Sequence, residues 1–122
     1  MLAVKNIRTA YDFYVDKIGF ELCSPEEKID EWCWCNLKKD NVQIMLSQTE
    51  MGHLIPETKS VEGEHYFSCC LYFYPDNVEE LYKHYLKKGL ELTELNTTFY
   101  GMKEFSLCDP DGHLLSFGQD VI

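Results

Sequence analysis

The chain has 122 residues, which suits one compact domain with a single hydrophobic core. Hydrophobic residues make up 45% and aromatic residues 14% of the sequence, so global disorder is excluded. The formal net charge of −10 argues against nucleic acid or an anionic membrane surface as a partner and would attract cations.

The first module is predicted to run strand, helix, strand, strand, strand. Apolar residues recur at helical spacing over 6–18, with Asn6 at the N-cap position. Gly19 stands where a left-handed residue commonly ends a helix. The strands are predicted near 1–5, 19–23, 31–37 and 42–48, with a hairpin turn at 38–41.

A polar stretch at about 49–65 connects the first module to the rest of the chain. It holds Gly52, Pro56 and Gly63, and we expect a mobile loop there. His53 and His65 flank this stretch, and either could swing over a ligand.

The second module, at about 66–122, repeats the first with an offset of 71 residues. Asn77 to Lys88 align with Asn6 to Lys17, and His113 to Gln119 align with Val42 to Gln48. The predicted elements are a helix at 77–88 and strands at 66–74, 90–94, 102–108 and 113–118. Two sheets that each bury one face would pair within a single domain spanning 1–122. They would enclose a trough suited to a ligand.

No apolar run approaches the roughly 18 to 20 residues that a membrane-spanning helix needs. A polar helical pattern follows the first five residues at once, so we expect no signal peptide and a cytoplasmic protein. The six cysteines are therefore expected to be reduced, buried thiols rather than a disulfide framework.

The paired pattern resembles the vicinal oxygen chelate superfamily, which includes glyoxalase I, extradiol dioxygenases, fosfomycin-resistance enzymes and bleomycin-resistance proteins. The resemblance rests on Phe13-Tyr14 and Gly19-Phe20 early in the chain, and on Tyr100 to Phe105 and Asp109 to His113 late. It implies an α+β fold in which two βαβββ modules form a cupped, incomplete barrel. The chain is most similar to the short bleomycin-resistance-like members, and proteins of this size look like homodimers.

The metal enzymes of that superfamily hold a divalent ion with His, Gln or Glu side chains. The resemblance places these ligand positions on Met45, Cys70 and Ser116, with a fourth just before Met1. None of the three residues is a good oxygen or imidazole ligand. We therefore expect no metal, no cofactor and no catalytic residue.

The cysteine pairs and the histidines could also have specific roles, in metal binding or in catalysis. Cys33-x-Cys35 and Cys69-Cys70 could bind a soft metal, but neither has Cys-x-x-Cys spacing, and adjacent strand residues face opposite ways. We interpret these thiols as small core residues. His84 and His113 are interpreted as solvated or capping residues.

Without a metal, binding would depend on ring stacking and apolar contact. Strand parity with Cys70 turns Tyr72 and Tyr74 inward, while the facing of Trp34 and Tyr100 is undetermined. The candidate ligand-binding residues are Met45, Cys70, Tyr72, Tyr74, Ser116, Trp34 and Tyr100.

Three functions are compatible with this sequence. The resemblance favours a metal-independent binding protein that sequesters an aromatic or cationic antibiotic, in the manner of bleomycin-resistance proteins. The alternatives are a superfamily metalloenzyme with unusual ligands, such as a lyase of the glyoxalase type, an isomerase or a dioxygenase, and a ligand-responsive sensor or scaffold. The acidic surplus is interpreted mainly as an aid to solubility, and otherwise as an attraction for a cationic ligand.

Overall fold

A computed structural model describes residues 1–51, 58–61, 64–67 and 70–121 of the chain. They fall into two compact units, Met1–Pro56 and Glu57–Ile122. Each unit contains one βαβββ module, so the predicted α+β fold of two such modules is confirmed. The trough between the modules and the single-domain organisation stay predictions.

The helical segment of the first unit has sharply defined ends. The side chain of Asn6 accepts a hydrogen bond from the backbone N–H of Thr9 (3.0 Å), so it caps the helix as predicted. Gly19 ends the segment at φ 101°, a left-handed conformation that glycine adopts without steric strain. The elements are β1 (Leu2–Val4), α1 (Ile7–Asp12), a π-helical stretch (Phe13–Ile18), β2 (Glu21–Leu22), a 3-10 turn (Glu26–Lys28), α2 (Ile29–Trp32), β3 (Trp34–Lys39) and β4 (Val42–Gln48).

The first sheet has the strand order β1-β4-β3-β2, with β1 parallel to β4 and the other pairs antiparallel. Helix α1 packs on β3 and β4. Cys35, Leu37 and Leu46 are fully buried in these strands and form the helix-covered face. Because strand residues alternate in direction, Asn36 and Met45 lie on the opposite face. We call the face of each sheet that lies away from its helix the helix-free face.

The second unit repeats this topology and adds a hairpin. Its sheet has the order β7-β10-β9-β8, with the same parallel and antiparallel pairs as the first sheet. The elements are β5 (Thr58–Val61), β6 (Glu64–Phe67), β7 (Cys70–Phe73), α3 (Val78–Lys87), β8 (Asn96–Thr97), β9 (Met102–Cys108) and β10 (Leu114–Asp120).

The duplication extends to individual hydrogen bonds. The side-chain oxygen of Gln48, at the end of β4, accepts from the backbone N–H of Ile7 (2.9 Å). The side-chain oxygen of Gln119 in β10 accepts in the same way from Val78 (2.9 Å). In each module, the last strand therefore satisfies a free N–H group at the start of the helix, which anchors the helix to its sheet.

Aromatic rings fill the space between α3 and the second sheet. Tyr85 is fully buried, and its ring centroid lies 5.5 Å from Phe117 and 6.1 Å from Phe105. Since Phe105 and Phe117 face the helix, Glu104 in β9 and Ser116 in β10 lie on the helix-free face.

Several predicted boundaries are wrong. In place of a strand at 90–94, the edge strand is β8, because β9 pairs with residues 96–97. Residues 31–33 close a helical turn, which ends at Cys33 with φ 51°, rather than opening β3. Part of the predicted loop at 49–65 forms the antiparallel hairpin of β5 and β6.

Further predictions concern single residues. His113 is buried, not solvated, and its backbone N–H donates to the carboxylate of Asp109 (2.8 Å) in the predicted turn. His84 is exposed, as expected. The predictions for His53 and Cys69 concern residues outside the described ranges, as does the mobility expected at 52–57 and 62–63. Within the described ranges, no helix is long and apolar enough to cross a membrane.

Candidate functional site

A row of thiol and hydroxyl groups crosses three strands of the second sheet on its helix-free face. The exposed thiol of Cys70 in β7 donates to the hydroxyl of Ser116 in β10 (Sγ–Oγ 3.2 Å). Ser116 is only 7% exposed and also bonds the hydroxyl of Ser106 in β9 (2.7 Å). Two predicted site residues, Cys70 and Ser116, are therefore in direct contact.

Beside this row, two tyrosines hold one carboxylate. The hydroxyl of Tyr72 donates to Oε2 of Glu104 (2.8 Å), and the hydroxyl of Tyr100 donates to Oε1 (2.6 Å). The 2.6 Å bond lies in the range typical of hydrogen bonds to a charged acceptor, which are stronger than neutral ones. We call Tyr72, Tyr100 and Glu104 the tyrosine–glutamate cluster.

The electrostatics of this cluster keep both tyrosines as donors. Burial and the bond to Glu104 raise the pKa of Tyr72. The pKa of Tyr100 is raised chiefly by its bond to the same carboxylate. Because a deprotonated phenol would confront the carboxylate, both hydroxyls stay protonated near neutral pH.

Within the described residues, no lysine or arginine forms an ion pair with Glu104. Lys103, its neighbour in β9, pairs instead with Glu79 of α3. Alternation along the strand separates the two side chains, since Lys103 lies on the helix-covered side. The half-buried carboxylate of Glu104 is thus held by neutral donors.

Gly118 makes room for the ring of Tyr72. A Cβ atom at position 118 would lie 1.8 Å from Oη and 2.6 Å from Cζ of Tyr72. Atoms cannot approach that closely, so any larger residue would displace the ring and its hydroxyl from Glu104. Gly118 therefore sets the geometry of the cluster.

Exposed aromatic rings stand next to the cluster. The ring centroid of Tyr74 lies 5.1 Å from that of Tyr72, and Phe99 lies 5.0 Å from Tyr100. Tyr74 is 77% exposed and Phe99 fully exposed. Exposed rings grouped around polar groups are typical of binding surfaces.

The helix-free face of the first sheet is different in chemistry. Trp34 lies opposite Ser47, and Asn36 lies opposite Met45, which is 39% exposed. The structure thus gives the facing of Trp34, which the sequence left open. Among the residues described, the buried Oδ1 of Asn36 has no hydrogen-bond partner.

The predicted candidates therefore separate by sheet. Four of them lie in two hydrogen-bonded groups within or beside the second sheet. Cys70 bonds Ser116, and Tyr72 and Tyr100 both bond Glu104. Tyr74 follows the end of β7, and its largely exposed ring contacts the ring of Tyr72. Met45 and Trp34 share the helix-free face of the first sheet.

Sequence reasoning missed three residues of the second sheet: Glu104, Ser106 and Gly118. A signal was available, because Phe105 and Leu107 are apolar and alternate with Glu104 and Ser106 in β9. A charged residue within such an alternation belongs to the face opposite the core.

The donors at the predicted metal positions do not fit the ion that the resemblance implies. Cys70 offers a thiol, Ser116 a hydroxyl and Met45 a thioether. Hard and borderline divalent ions are held by carboxylate and imidazole groups. In the described ranges, no three His, Cys, Asp or Glu side chains come together as a metal site.

The cysteines divide between core and surface. Burial raises the pKa of the Cys35 thiol to about 11, so Cys35 behaves as the small core residue that was predicted. The same interpretation is wrong for Cys70, Cys23 and Cys108, which are exposed. Cys70 is the first residue of β7, Cys108 is the last residue of β9, and Cys23 directly follows β2.

Comparison with known proteins gives solved structures of the same fold. TioX from Micromonospora sp. ML1 is 23% identical with a TM-score of 0.74, over 98% of this chain and 94% of that one. TnmS3, an antibiotic binding protein from Streptomyces sp. CB03234, is 20% identical with a TM-score of 0.67, over 98% and 92%. A virulence protein from Salmonella typhimurium is 25% identical with a TM-score of 0.68, over 98% and 92%.

At the level of sequence, no curated protein matches this chain. The family described as the Glyoxalase/Bleomycin resistance protein/Dioxygenase superfamily matches residues 1–117.

Proposed function

This chain belongs to the Glyoxalase/Bleomycin resistance protein/Dioxygenase superfamily, and we propose that it is a metal-independent protein that binds a small aromatic or cationic molecule. The proposed ligand class includes antibiotics, which the protein would sequester rather than modify. The description of TnmS3 as an antibiotic binding protein supports this class.

The helix-free face of the second sheet carries the proposal. It combines the ring of Tyr72 with a few fixed polar groups, Glu104 and Ser116 among them. Small-molecule sites commonly join aromatic surface to a few polar groups that orient the ligand. The proposed ligand-binding residues remain Met45, Cys70, Tyr72, Tyr74, Ser116, Trp34 and Tyr100.

Binding can be tested by a thermal-shift screen followed by titration. A ligand present at 100 times its Kd raises the free energy of unfolding by about 2.7 kcal/mol. We expect shifts from planar cationic drugs. Shifts from divalent metal ions instead would favour the enzyme alternative, and no shift at all would favour a sensor or scaffold.

The variant Tyr72→Ala tests the site with the strongest hit of that screen. Loss of one stacking ring should weaken binding about five-fold or more, because a stacked aromatic pair contributes about 1 kcal/mol. Tyr11→Ala, which changes a half-buried ring of α1, is the matched control and should leave Kd unchanged. A large fall in melting temperature with unchanged Kd for Tyr72→Ala would contradict the proposed site.

Metal independence rests on the donors at Met45, Cys70 and Ser116. Protein purified without chelator should contain well under one ion per chain. A stoichiometric Zn²⁺, Ni²⁺ or Fe²⁺ signal that Cys70→Ala removes would overturn this part of the proposal.

Assembly and location complete the proposal. Each sheet is open, with a short edge strand such as β8, and exposed edges favour pairing with a second copy. We therefore propose a homodimer, which light scattering at micromolar concentration should show as two chains per particle. Exposed free thiols, such as Cys23 and Cys108, suit a reducing compartment, and we place the protein in the cytoplasm.

A further inference from the structure

We infer that Glu104 selects a positive charge, so that the molecule taken by the second sheet is an aromatic cation rather than a neutral aromatic. The inference rests on the proposed function and narrows it to one ligand class. It also assigns a specificity role to a residue that sequence reasoning missed.

The carboxylate of Glu104 is held in place, and it can still accept further hydrogen bonds. Each oxygen accepts one tyrosine hydroxyl, from Tyr72 at 2.8 Å and from Tyr100 at 2.6 Å. An ionised carboxylate has about four acceptor sites, so about two remain for a ligand. The two tyrosines fix the direction in which those sites point, which reduces the ordering that binding would require.

Among the described residues, the carboxylate of Glu104 is bonded by neutral hydroxyls and by no cationic side chain. The described residues place no lysine or arginine in an ion pair with it, and the adjacent Lys103 is engaged by Glu79. A half-buried carboxylate that has lost part of its hydration gains most from a cation. The net charge of −10 adds a long-range attraction for positive ligands.

The neighbouring rings favour the same ligand. Tyr74 lies 5.1 Å from Tyr72, ring centre to ring centre, and is 77% exposed. Tyr100 is 53% exposed and carries one of the two hydroxyls that hold Glu104. Aromatic faces attract cations within about 6 Å and also stack on planar rings. A planar aromatic cation satisfies both the rings and the carboxylate.

Two probes with the same ring system test the inference. N-methylacridinium carries a permanent charge, while acridine is uncharged at pH 8, and the fluorescence of both reports binding. We expect wild-type protein to bind the cation about tenfold more tightly, because only the cation is attracted by the carboxylate of Glu104 and the partial burial of that carboxylate strengthens the attraction. Glu104→Gln keeps the side-chain shape and an acceptor oxygen but removes the charge, and it should reduce this preference to the smaller part that the rings and the net charge supply.

Glu94→Gln is the matched control, since it removes the same charge from an exposed residue of the same unit. It should keep the preference of the wild type. Glu104→Ala is a second variant for the case in which Glu104→Gln melts early, and it too should reduce the preference.

The outcomes separate the two proposals. An undiminished preference in Glu104→Gln would overturn the role of Glu104. Equal Kd values for both probes in the wild type would overturn the inference and leave the proposed function standing. Failure of both probes to bind the wild type would contradict the proposed function and the inference together.

Discussion

The two sheets share one scaffold but differ in the chemistry of their helix-free faces. Tyr14 and Tyr85, 71 residues apart, belong to the helical segments of the two units, and both are fully buried. The capping bonds of Gln48 and Gln119 are also equivalent, with the same 2.9 Å length. The duplication thus preserves the residues that fix each helix to its sheet.

On the helix-free faces, equivalent positions carry different groups. Ser47 lies opposite Trp34 in the first sheet, and Gly118, its counterpart, lies opposite Glu104 in the second. Trp34 in the first module therefore occupies the position in the sheet that Glu104 occupies in the second. Because the helix-covered face specifies the fold, the opposite face is free to change its binding chemistry.

The largest expected effect is a loss of stability from a variant on the helix-covered face of the second sheet, compared with a variant on its helix-free face. Tyr85→Ala should lower the free energy of unfolding by about 3–5 kcal/mol, because it empties a packed aromatic core. Tyr72→Ala, on the helix-free face, should cost clearly less, since Tyr72 is only half-buried. Urea denaturation of both variants measures the difference. Equal losses would mean that Tyr72 is a core residue.

The next largest effect is expected when Gly118 receives a side chain, as its counterpart Ser47 already has. Gly118→Ala should lower stability by about 1–3 kcal/mol through overpacking, because the new Cβ collides with the Tyr72 ring. It should also weaken N-methylacridinium binding, since the ring leaves Glu104. Ser47→Ala is the control and should stay within about 0.5 kcal/mol of the wild type.

A double variant tests whether the collision with the Tyr72 ring causes the loss of stability in Gly118→Ala. In a Tyr72→Ala background there is no ring to displace, so Gly118→Ala should add little further loss of stability. Additive losses in the double variant would show that the collision is not the cause.

Local signals explain most of what the sequence predicted about the fold. Asn6 and Gly19 bound the first helical segment because capping and left-handed backbone depend on the residue itself. The edge strand β8 was misplaced because its position depends on pairing with β9, not on its own residues. The hairpin of β5 and β6 was missed for the same reason.

The candidate site was predictable only where the facing of one residue in a strand was already known, because alternation could then place the other residues of that strand. The resemblance placed Cys70 and Ser116 at metal-ligand positions of the trough, and alternation along the strand of Cys70 added Tyr72 to the same face. The facing of Trp34 depended on the register between β3 and β4, which the sequence did not specify. Glu104 was missed because its partners, Tyr72 and Tyr100, lie 32 and four residues away and meet it only through sheet pairing and the turn before β9.

The smallest expected effect is an alkaline one, confined to the tyrosine–glutamate cluster. The folded protein raises the pKa of Tyr72, by burial and by its bond to Glu104, and raises that of Tyr100 mainly by the bond. A raised pKa means that the protonated hydroxyl is favoured in the folded state. The resulting stability is fully present below the unfolded pKa of about 10 and is lost as the pH rises through the folded pKa.

Glu104→Gln should therefore lower the pKa of both tyrosines and shift the absorbance of tyrosinate to lower pH. Tyr85, whose pKa burial also raises, is unaffected by this change and serves as the internal reference. The first module, whose equivalent position holds Trp34 and no carboxylate, contributes nothing to the difference between wild type and variant. Superimposable titration curves would show that Glu104 does not control these hydroxyls, and the contrast between the two helix-free faces would lose its electrostatic basis.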